Sequence, residues 1–232
     1  MVSEQNNNRE ALIKVLKKYW GFDEFRDSQK RIIDFVVQKK DVVALLPTGG
    51  GKSLCYQLPA VVMEGTCLVI SPLIALMEDQ VNQLLKRGIK AAYINSSLHY
   101  KDIDRILDNV IYGNIKILYL SPERLKTTLF IDRFKKMNVS FVAVDEAHCI
   151  SEWGNDFRPE YRNISSLRTL NKDLSFIALT ATATPEVVED IEEQLCFTEG
   201  NKIKKSFIRN NINYKGWLKL KHAPTIASTS FE

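Results

Sequence analysis

Short runs of β-branched and apolar residues alternate with segments of helical periodicity along most of this chain. The runs typical of buried strands cover residues 42–45, 66–71, 91–94, 115–120, 139–144 and 175–180. Apolar residues at helical spacing cover 10–20, 28–39, 73–86, 101–111, 124–136 and 185–196. Such alternation is typical of parallel strands connected by helices. It predicts an α/β fold with a mostly parallel central sheet flanked by helices on both faces.

The first predicted strand leads into a glycine-rich turn that ends in Lys52 and Ser53, and a helical stretch follows. Glycines let backbone N–H groups point at phosphate oxygens, and a helix N-terminus adds partial positive charge. Lys52 is placed to reach the outer phosphates of a nucleoside triphosphate, and the Ser53 hydroxyl to ligate Mg²⁺. Leu46 stands where the general pattern has a glycine, so an accidental glycine turn is the alternative. The candidate nucleotide-binding residues in this turn are Thr48, Gly49, Gly50, Gly51, Lys52 and Ser53.

Two adjacent carboxylates, Asp145 and Glu146, follow another predicted buried strand. Asp145 is suited to hold Mg²⁺ through a water molecule, because this cation prefers oxygen ligands and keeps several of its waters. Glu146 is suited to accept a proton from the water that attacks the γ-phosphate. Alone, the pair is also what an ordinary acidic turn looks like. Together with the glycine-rich turn, it predicts nucleoside triphosphate hydrolysis with Lys52, Asp145 and Glu146 as catalytic residues.

The charge of the chain is distributed unevenly. The net charge is +4, but residues 201–232 hold seven of the 32 basic side chains and one of the 28 acidic ones, so the remainder is close to neutral. Any binding of nucleic acid by the body of the chain is therefore expected to rely on local groups rather than on overall charge. The four cysteines are scattered, a spacing that predicts neither a zinc site nor a disulfide framework. No apolar run has the length of a transmembrane helix and the N-terminus is polar, so we expect no membrane association and an intracellular protein.

Several further motifs, in order along the chain, resemble those of the RecQ family of DNA helicases, within superfamily two. The Asp145-Glu146-Ala147-His148 segment continues into a stretch, 149–161, that resembles the aromatic-rich loop of this family. Residues 16–29 resemble its nucleotide-recognition motif, and Leu46 is normal in its phosphate-binding turn. Other matching segments are 71–80, 121–125 and 179–183, and the resemblance covers about Leu12 to Tyr214. It implies a RecA-like P-loop domain that uses ATP and Mg²⁺ to act on single-stranded and forked DNA.

The resemblance also implies how the base of ATP is recognised. The Gln29 side-chain amide hydrogen-bonds the adenine edge, while Phe22 and Arg26 stack on or near the ring; an amide and a guanidinium plane are chemically suited to these roles. The alternative is that the aromatic residues of this segment simply pack a helix against the core. For Tyr19 and Trp20 that packing role is favoured.

By the same resemblance, Trp153, Phe157 and Arg158 contact single-stranded DNA, and His148 couples their loop to the nucleotide site. Stacking on aromatic rings binds bases without reading their sequence. Because Trp153 and Phe157 are four residues apart, a packed helical stripe is the alternative, although Gly154 and a following proline argue against a helix. For His148 the alternative is an ordinary polar residue in a turn.

The remaining predicted DNA-binding or coupling residues follow other strands. In related helicases, segments such as Ser71-Pro72 and the one beginning at Asn95 hold the DNA backbone, whereas Thr180 and Thr182 link ATP hydrolysis to DNA movement. Hydroxyl groups and backbone N–H groups are suitable phosphate contacts without net charge. Helix capping is the alternative for the serine and asparagine side chains, and a strand-end turn is the alternative for Thr180 and Thr182.

The predicted organisation is a flexible N-terminus at 1–9, a RecA-like ATP-binding domain at 10–206, and a linker or truncated tail at 207–232. The resemblance implies a second RecA-like domain that supplies an arginine finger, which is missing from these 232 residues, and Ile208 and Asn210 depart from the family pattern at the crossing. We therefore expect an isolated monomer that binds ATP but unwinds DNA poorly. A truncated, non-motor ATP- or DNA-binding regulatory module, or a translocase that does not separate strands, remains open. The expected location is nuclear in a eukaryote and cytoplasmic in a bacterium.

Overall fold

A seven-stranded parallel sheet forms the centre of the protein in the computed structural model, which describes residues 2–154 and 156–204. Its order is β3-β4-β2-β5-β6-β1-β7, and every neighbouring pair is parallel. The strands are β1 Val42–Leu45, β2 Thr66–Ile70, β3 Ala91–Ile94, β4 Ile117–Leu120, β5 Val139–Val144, β6 Phe176–Thr180 and β7 Lys202–Lys204. The predicted α/β fold with a parallel sheet is confirmed.

Helices connect these strands and cover both faces of the sheet. They are α1 Val2–Trp20, α2 Asp27–Val37, α3 Lys52–Val62, α4 Ile74–Lys86, α5 Tyr100–Asp108, α6 Thr128–Phe134, α7 Ser166–Leu170 and α8 Pro185–Gln194. Short 3-10 segments lie at Pro122–Lys126, Ala147–Ile150 and Pro159–Ser165, and a π-helical turn at Asn109–Gly113. In the described part of the chain, no helix combines the length and the apolar character that crossing a bilayer requires.

Several boundaries differ from those that periodicity predicted. Helix α1 begins at Val2, upstream of the predicted start at residue 10. The predicted helix 124–136 is divided, because Thr127 is extended and its hydroxyl donates to the Arg124 carbonyl at 2.8 Å, which ends the 3-10 segment before α6 starts. Residues 205–232, with Ile208, Asn210 and the predicted linker, lie outside the described residues, and the predicted domain boundaries stay predictions.

The two faces of the sheet carry separate apolar layers, because successive side chains of a strand point to opposite faces. Val43, Leu45, Val142 and Val144 lie on one face and pack with helices α5, α6 and α8. The intervening residues of the same strands lie on the other face, with helices α2, α3 and α4. The central strands are thus buried on both faces, as their continuous apolar runs predicted.

The sheet register brings the loops that follow the strands to a single edge. The backbone N–H of the first residue after a strand donates to the last residue of its neighbour in several cases: Leu46 to Thr180, Ser71 to Leu120, Ser121 to Ile94 and Asp145 to Ile70, at 2.8–3.2 Å. The candidate segments that follow these strands therefore begin at the carboxyl edge of the sheet, as expected for ligand sites in this class of fold.

Candidate active site

The glycine-rich turn after β1 has the backbone conformation that only glycine adopts without strain. Gly49 and Gly51 have φ angles of 75° and 80°, and Gly51 is the N-cap of α3. At Gly50, an added Cβ would lie 2.7 Å from the Pro47 carbonyl oxygen, and the Gly50 N–H donates to that oxygen at 2.8 Å. The turn therefore needs glycine for both its φ angles and its close approaches. It leads directly into the helix that begins at Lys52.

Lys52 and Glu146 meet across 94 residues of sequence. The Lys52 Nζ lies 3.3 Å from Glu146 Oε1, and both side chains are largely buried. The end of β5 is thus next to the start of α3, which places the predicted base beside the predicted phosphate-binding lysine. Glu146 itself has a φ of 46°, a left-handed conformation that costs a non-glycine residue roughly 1–3 kcal/mol. Such strain is common where a side chain is held for a functional purpose.

Asp145 ends β5 in a nearly closed environment. It is 8% exposed, and burial followed by the charge of Glu146 raises the pKa of its carboxyl group to about 6, while Lys52 acts in the opposite direction. Asp145 Oδ1 accepts the Glu146 N–H at 3.1 Å, and the Asp145 carbonyl accepts the Tyr161 hydroxyl at 3.1 Å. The Asp145 carboxylate and the Ser53 hydroxyl both offer oxygen atoms, which are the ligands that Mg²⁺ prefers, so these residue types fit the cation.

His148 connects Glu146 to the end of β6. Its Nδ1 lies 3.4 Å from Glu146 Oε2 and 3.0 Å from Thr180 Oγ1. The Thr180 hydroxyl donates to the Thr182 carbonyl at 2.9 Å, so towards His148 it can only accept. This hydrogen bond requires a hydrogen on Nδ1, and in the tautomer that carries its hydrogen there the lone pair is at Nε2. The contacts form a continuous chain from Glu146 through His148 and Thr180 to Thr182.

A cavity of about 480 Å³ adjoins the glycine-rich turn. It is lined by predicted nucleotide-binding residues, namely Phe22, Arg26, Gln29, Gly49, Gly51 and Ser53. It is also lined by residues that sequence reasoning did not assign to the site, namely Trp20, Glu24, Leu54, Gln57, Gln80, Gln83 and Arg87. Trp20, for which packing was favoured, does both: it packs on the core and lines the cavity.

Gln29 is held in place by two hydrogen bonds and is 5% exposed. Its Oε1 accepts the Arg26 N–H at 3.1 Å, and its Nε2 donates to the Gly51 carbonyl at 3.4 Å. The Arg26 guanidinium donates to the Gly49 carbonyl at 3.2 Å, so the segment before α2 is tied to the glycine-rich turn. An amide has two N–H donors and two acceptor lone pairs, so Gln29 keeps one of each for an adenine edge.

Gln57 and Gln80 form the cavity wall that the sequence reasoning missed. The Gln57 Nε2 donates to Gln80 Oε1 at 2.8 Å and to the Tyr119 hydroxyl at 3.0 Å. A signal was available, because Gln57 follows Ser53 by four residues and so shares its face of α3. Gln80, Gln83 and Arg87 are likewise on one face of the α4 region.

In the aromatic-rich loop between β5 and α7, one aromatic ring is exposed to solvent and two others pack against the protein. Trp153 is 78% exposed, whereas Tyr161 is fully buried and Phe157 packs 5.1 Å under the Arg162 guanidinium. Among the described residues of the loop, neither Trp153 nor Phe157 is helical, so the alternative of a helical core stripe is wrong for these two residues. A second cavity, of about 410 Å³, lies between Trp153 and the Thr182 segment, with His148 on its wall.

Three of the predicted DNA-binding side chains have contacts or burial within the protein itself, namely Arg158, Ser71 and Asn95. The Arg158 guanidinium donates to the Pro72 carbonyl at 3.2 Å, which ties the loop to the end of β2. Ser71 is buried, and within 2–154 and 156–204 its hydroxyl has no hydrogen-bond partner. Asn95 Oδ1 accepts the backbone N–H and the hydroxyl of Ser97, so this side chain shapes a turn after β3 and does not cap α5. Their contacts with DNA stay predictions.

The sequence of this chain matches a known protein family. The model of the DEAD/DEAH box helicase family matches residues 26–191, which is more than half of the chain. The chain belongs to the DEAD/DEAH box helicase family. This match spans the segment from Arg26 at the cavity through the carboxylates to α8.

Proteins that are similar to this chain along most of its sequence include bacterial RecQ proteins. The chain is 47% identical to an "ATP-dependent DNA helicase RecQ" of Bacillus subtilis over 203 residues, which is 87% of this chain and 34% of that protein. It is 42% identical to a protein of the same name from Haemophilus influenzae over 219 residues, 94% of this chain and 35% of that protein. The predicted resemblance to the RecQ family is confirmed, and the chain spans about a third of the length of these relatives.

Solved helicase structures share the fold at low identity. The helicase MrfA bound to DNA and AMPPNP superimposes with a TM-score of 0.67 at 20% identity, covering 84% of this chain and 29% of that one. A hypothetical ATP-dependent RNA helicase from Sulfolobus tokodaii gives a TM-score of 0.63 at 20% identity, covering 84% and 57%. The RecA-like fold predicted from the resemblance is thereby confirmed.

Proposed function

We propose that this chain is the ATP-binding motor domain of a RecQ-type DNA helicase. In this proposal ATP hydrolysis with Mg²⁺ drives 3′-to-5′ movement on single-stranded DNA and separation of strands at forks, in DNA repair or recombination. The observation that carries the proposal is the 3.3 Å contact between Lys52 and Glu146, which joins the phosphate-binding turn to the carboxylate pair. Support comes from relatives that are named ATP-dependent DNA helicases and are 42–47% identical.

The side chains at the site have distinct tasks in hydrolysis. Lys52 exchanges its contact with Glu146 for the outer phosphates, which frees the Glu146 carboxylate. Glu146 then orients a water and accepts its proton while the water oxygen attacks the γ-phosphorus and the bond to the ADP oxygen breaks. Ser53 and, through water, Asp145 would hold Mg²⁺, which neutralises phosphate charge. Gln29, Phe22 and Arg26 hold the adenine.

Coupling to DNA runs through His148 and the aromatic-rich loop. Any movement of Glu146 changes its contact with His148, which is hydrogen-bonded to Thr180, and Thr180 in turn to Thr182. Trp153 stands beside the same segment with an exposed ring on which a base can stack. The hydrogen bond from Arg158 to the Pro72 carbonyl joins the loop to the end of β2. In this proposal the residues at the end of β2 bind the DNA backbone.

A second RecA-like domain, carrying an arginine finger, completes the catalytic site in this proposal. The 232-residue chain by itself, a monomer, is therefore expected to bind Mg²⁺–ATP and to unwind DNA poorly. Robust unwinding of a forked duplex by this chain would contradict the proposal that a second domain is needed for unwinding. If single-stranded DNA does not change ATP binding, either in this chain or in a longer natural form of the protein, the result would favour the non-motor regulatory module.

Two substitutions test the site directly. Lys52→Ala should weaken ATP binding at least about tenfold, because a charge-assisted contact to the phosphates is lost. Glu146→Gln should keep ATP binding and lower single-turnover hydrolysis by roughly 10²-fold or more, the range for a lost general base. Binding is measured by calorimetry and turnover by phosphate release, with and without single-stranded DNA.

Lys136→Ala and Glu193→Gln provide matched controls. Both side chains are exposed, and both lie away from the carboxyl edge of the sheet, before β5 and at the end of α8. They should leave binding and turnover as in the unsubstituted chain. Unchanged turnover in Glu146→Gln would sink the assignment of the base.

A further inference from the structure

A histidine, a cysteine and an aspartate come together beside the carboxylate pair. The Cys149 Sγ lies 3.9 Å from His148 Nε2 and 3.7 Å from Asp156 Oδ2, and the three ligand atoms all lie within 4.8 Å of one another. His148 and Cys149 belong to the 3-10 segment after β5, whereas Asp156 comes from the aromatic-rich loop. The scattered cysteines predicted no zinc site, because only the folded loop brings Asp156 back over Cys149.

The separations are close to those of a tetrahedral zinc site. With Zn–S of about 2.3 Å and Zn–N or Zn–O of about 2.0–2.1 Å, tetrahedral ligands stand about 3.5 Å apart. The observed separations from Cys149 exceed this by a few tenths of an ångström. Rotation of the exposed Asp156 side chain shortens its distance to Cys149, and a small rotation of the Cys149 side chain about χ1 shortens the distance from Sγ to His148 Nε2.

The hydrogen bonds around His148 prepare the ring for a cation. Its Nδ1–H points to two acceptors, Thr180 Oγ1 and Glu146 Oε2, so the lone pair at Nε2 faces Cys149. A metal-binding histidine almost always donates its other N–H to such a partner, which fixes the ring orientation. Cys149 is also fixed, because its N–H donates to the Glu146 carbonyl and its own carbonyl accepts from Arg158.

We propose that His148, Cys149 and Asp156 bind a thiophilic divalent cation of the zinc class, with a fourth position open to water. Coordination forms an S–metal bond, breaks the S–H bond of Cys149 and releases that proton to solvent. Asp156 exchanges its 3.4 Å contact with the Arg158 guanidinium for the cation. Mg²⁺ does not compete for this site, since it prefers oxygen ligands throughout. The cation links the end of β5 to the aromatic-rich loop.

Co²⁺ is the probe, because it takes zinc sites and reports a thiolate ligand by its absorption. Titration of the 232-residue chain in a thiol-free reducing buffer should give a sulfur-to-cobalt charge-transfer band that Zn²⁺ abolishes. Cys149→Ser should remove this band, whereas Cys196→Ser, a substitution at an exposed thiol, should keep it. Asp156→Asn should weaken Co²⁺ binding about tenfold or more. Zn²⁺ should also raise the Tm of the unsubstituted chain and not of Cys149→Ser.

The outcomes separate this site from the ATP site. Absence of the band in the unsubstituted chain, its persistence in Cys149→Ser, or its loss in Cys196→Ser would each overturn the proposal. Should Cys149→Ser fail to fold, Asp156→Asn decides, because its side chain is exposed, and unchanged Co²⁺ affinity there refutes the site. None of these readouts depends on ATP hydrolysis.

Discussion

At the scale of single residues, Asp145 makes the free energy of unfolding depend on pH. Burial raises the pKa of its carboxyl group from 3.8 to about 6, so the folded protein holds this proton more tightly than the unfolded chain does. The corresponding contribution to stability is complete below pH 4 and is lost as the pH rises through about 6. Above that pH the fold carries a buried charge, which the Lys52 ammonium group and the Glu146 N–H partly offset.

Asp145→Asn should therefore stabilise the protein while removing its Mg²⁺ ligand. At pH 8 and without Mg²⁺, we expect the free energy of unfolding to rise by roughly 1–3 kcal/mol, given about 1.4 kcal/mol for each pKa unit. At pH 4 the gain should be much smaller, because the native carboxyl group is then protonated in the folded protein. Urea unfolding at the two pH values measures the difference.

Asp34→Asn is the matched control for that substitution. Asp34 is exposed on α2, so its replacement should change stability little at either pH. A destabilised Asp145→Asn protein at pH 8 would contradict the buried-charge account.

At the scale of elements, the glycine-rich turn and α3 depend on Gly51. An added Cβ at this position meets Gln29 Nε2, in a backbone conformation with φ of 80°. Gly88, after α4, has the same conformation with φ of 79°, but among the described residues no atom lies within 4 Å of its added Cβ. The pair separates backbone strain from steric displacement of Gln29.

Gly88→Ala should cost about 1–2 kcal/mol, the strain of a left-handed alanine. Gly51→Ala should cost at least about 1 kcal/mol more, since it also breaks the contact between Gln29 and the turn. It should lower the preference for ATP over GTP as well. Urea unfolding and nucleotide titrations provide the measurements, and equal losses in the two variants would show that Gln29 moves away freely.

Sequence reasoning succeeded for elements whose patterns are local. Strands β1, β3 and β5 have the predicted bounds, because each is a short apolar run with polar or glycine-containing flanks. It missed α7 and the 3-10 segments, which are too short for a periodicity to develop. The division at Thr127 was likewise invisible, since it depends on the conformation of one residue.

At the scale of the whole molecule, the two edges of the sheet have different roles, one in ligand binding and the other in stability. The carboxyl edge carries the site, whereas charged groups tie the amino ends of β1 and β6 together. The Arg168 guanidinium lies 2.7 Å from Asp41 and also donates to the carbonyls of Leu174 and Leu195. Asp41 in turn accepts the Phe176 N–H at 2.8 Å.

Arg168→Ala should lower the free energy of unfolding by about 2–4 kcal/mol, because it leaves a buried carboxylate and two carbonyls without their partner. ATP affinity of the folded fraction should not change, since the site is at the other edge. Arg105→Ala, which removes an exposed pair with Asp102, should cost under about 0.5 kcal/mol. Urea unfolding with ATP titration tests both; a large loss of ATP affinity in Arg168→Ala would contradict the separation of the edges.

The sequence by itself determined the order of strands and helices, the glycine-rich turn, the carboxylate pair and the family, because these are local patterns. Only the tertiary structure decided that β6 lies between β5 and β1, and therefore that Lys52 meets Glu146 and His148 meets Thr180. It also placed Gln57 with Gln80 in the cavity wall, and Asp156 over Cys149. The physical reason is that strand order and burial follow from packing between distant segments, which the periodicity of any one segment does not encode.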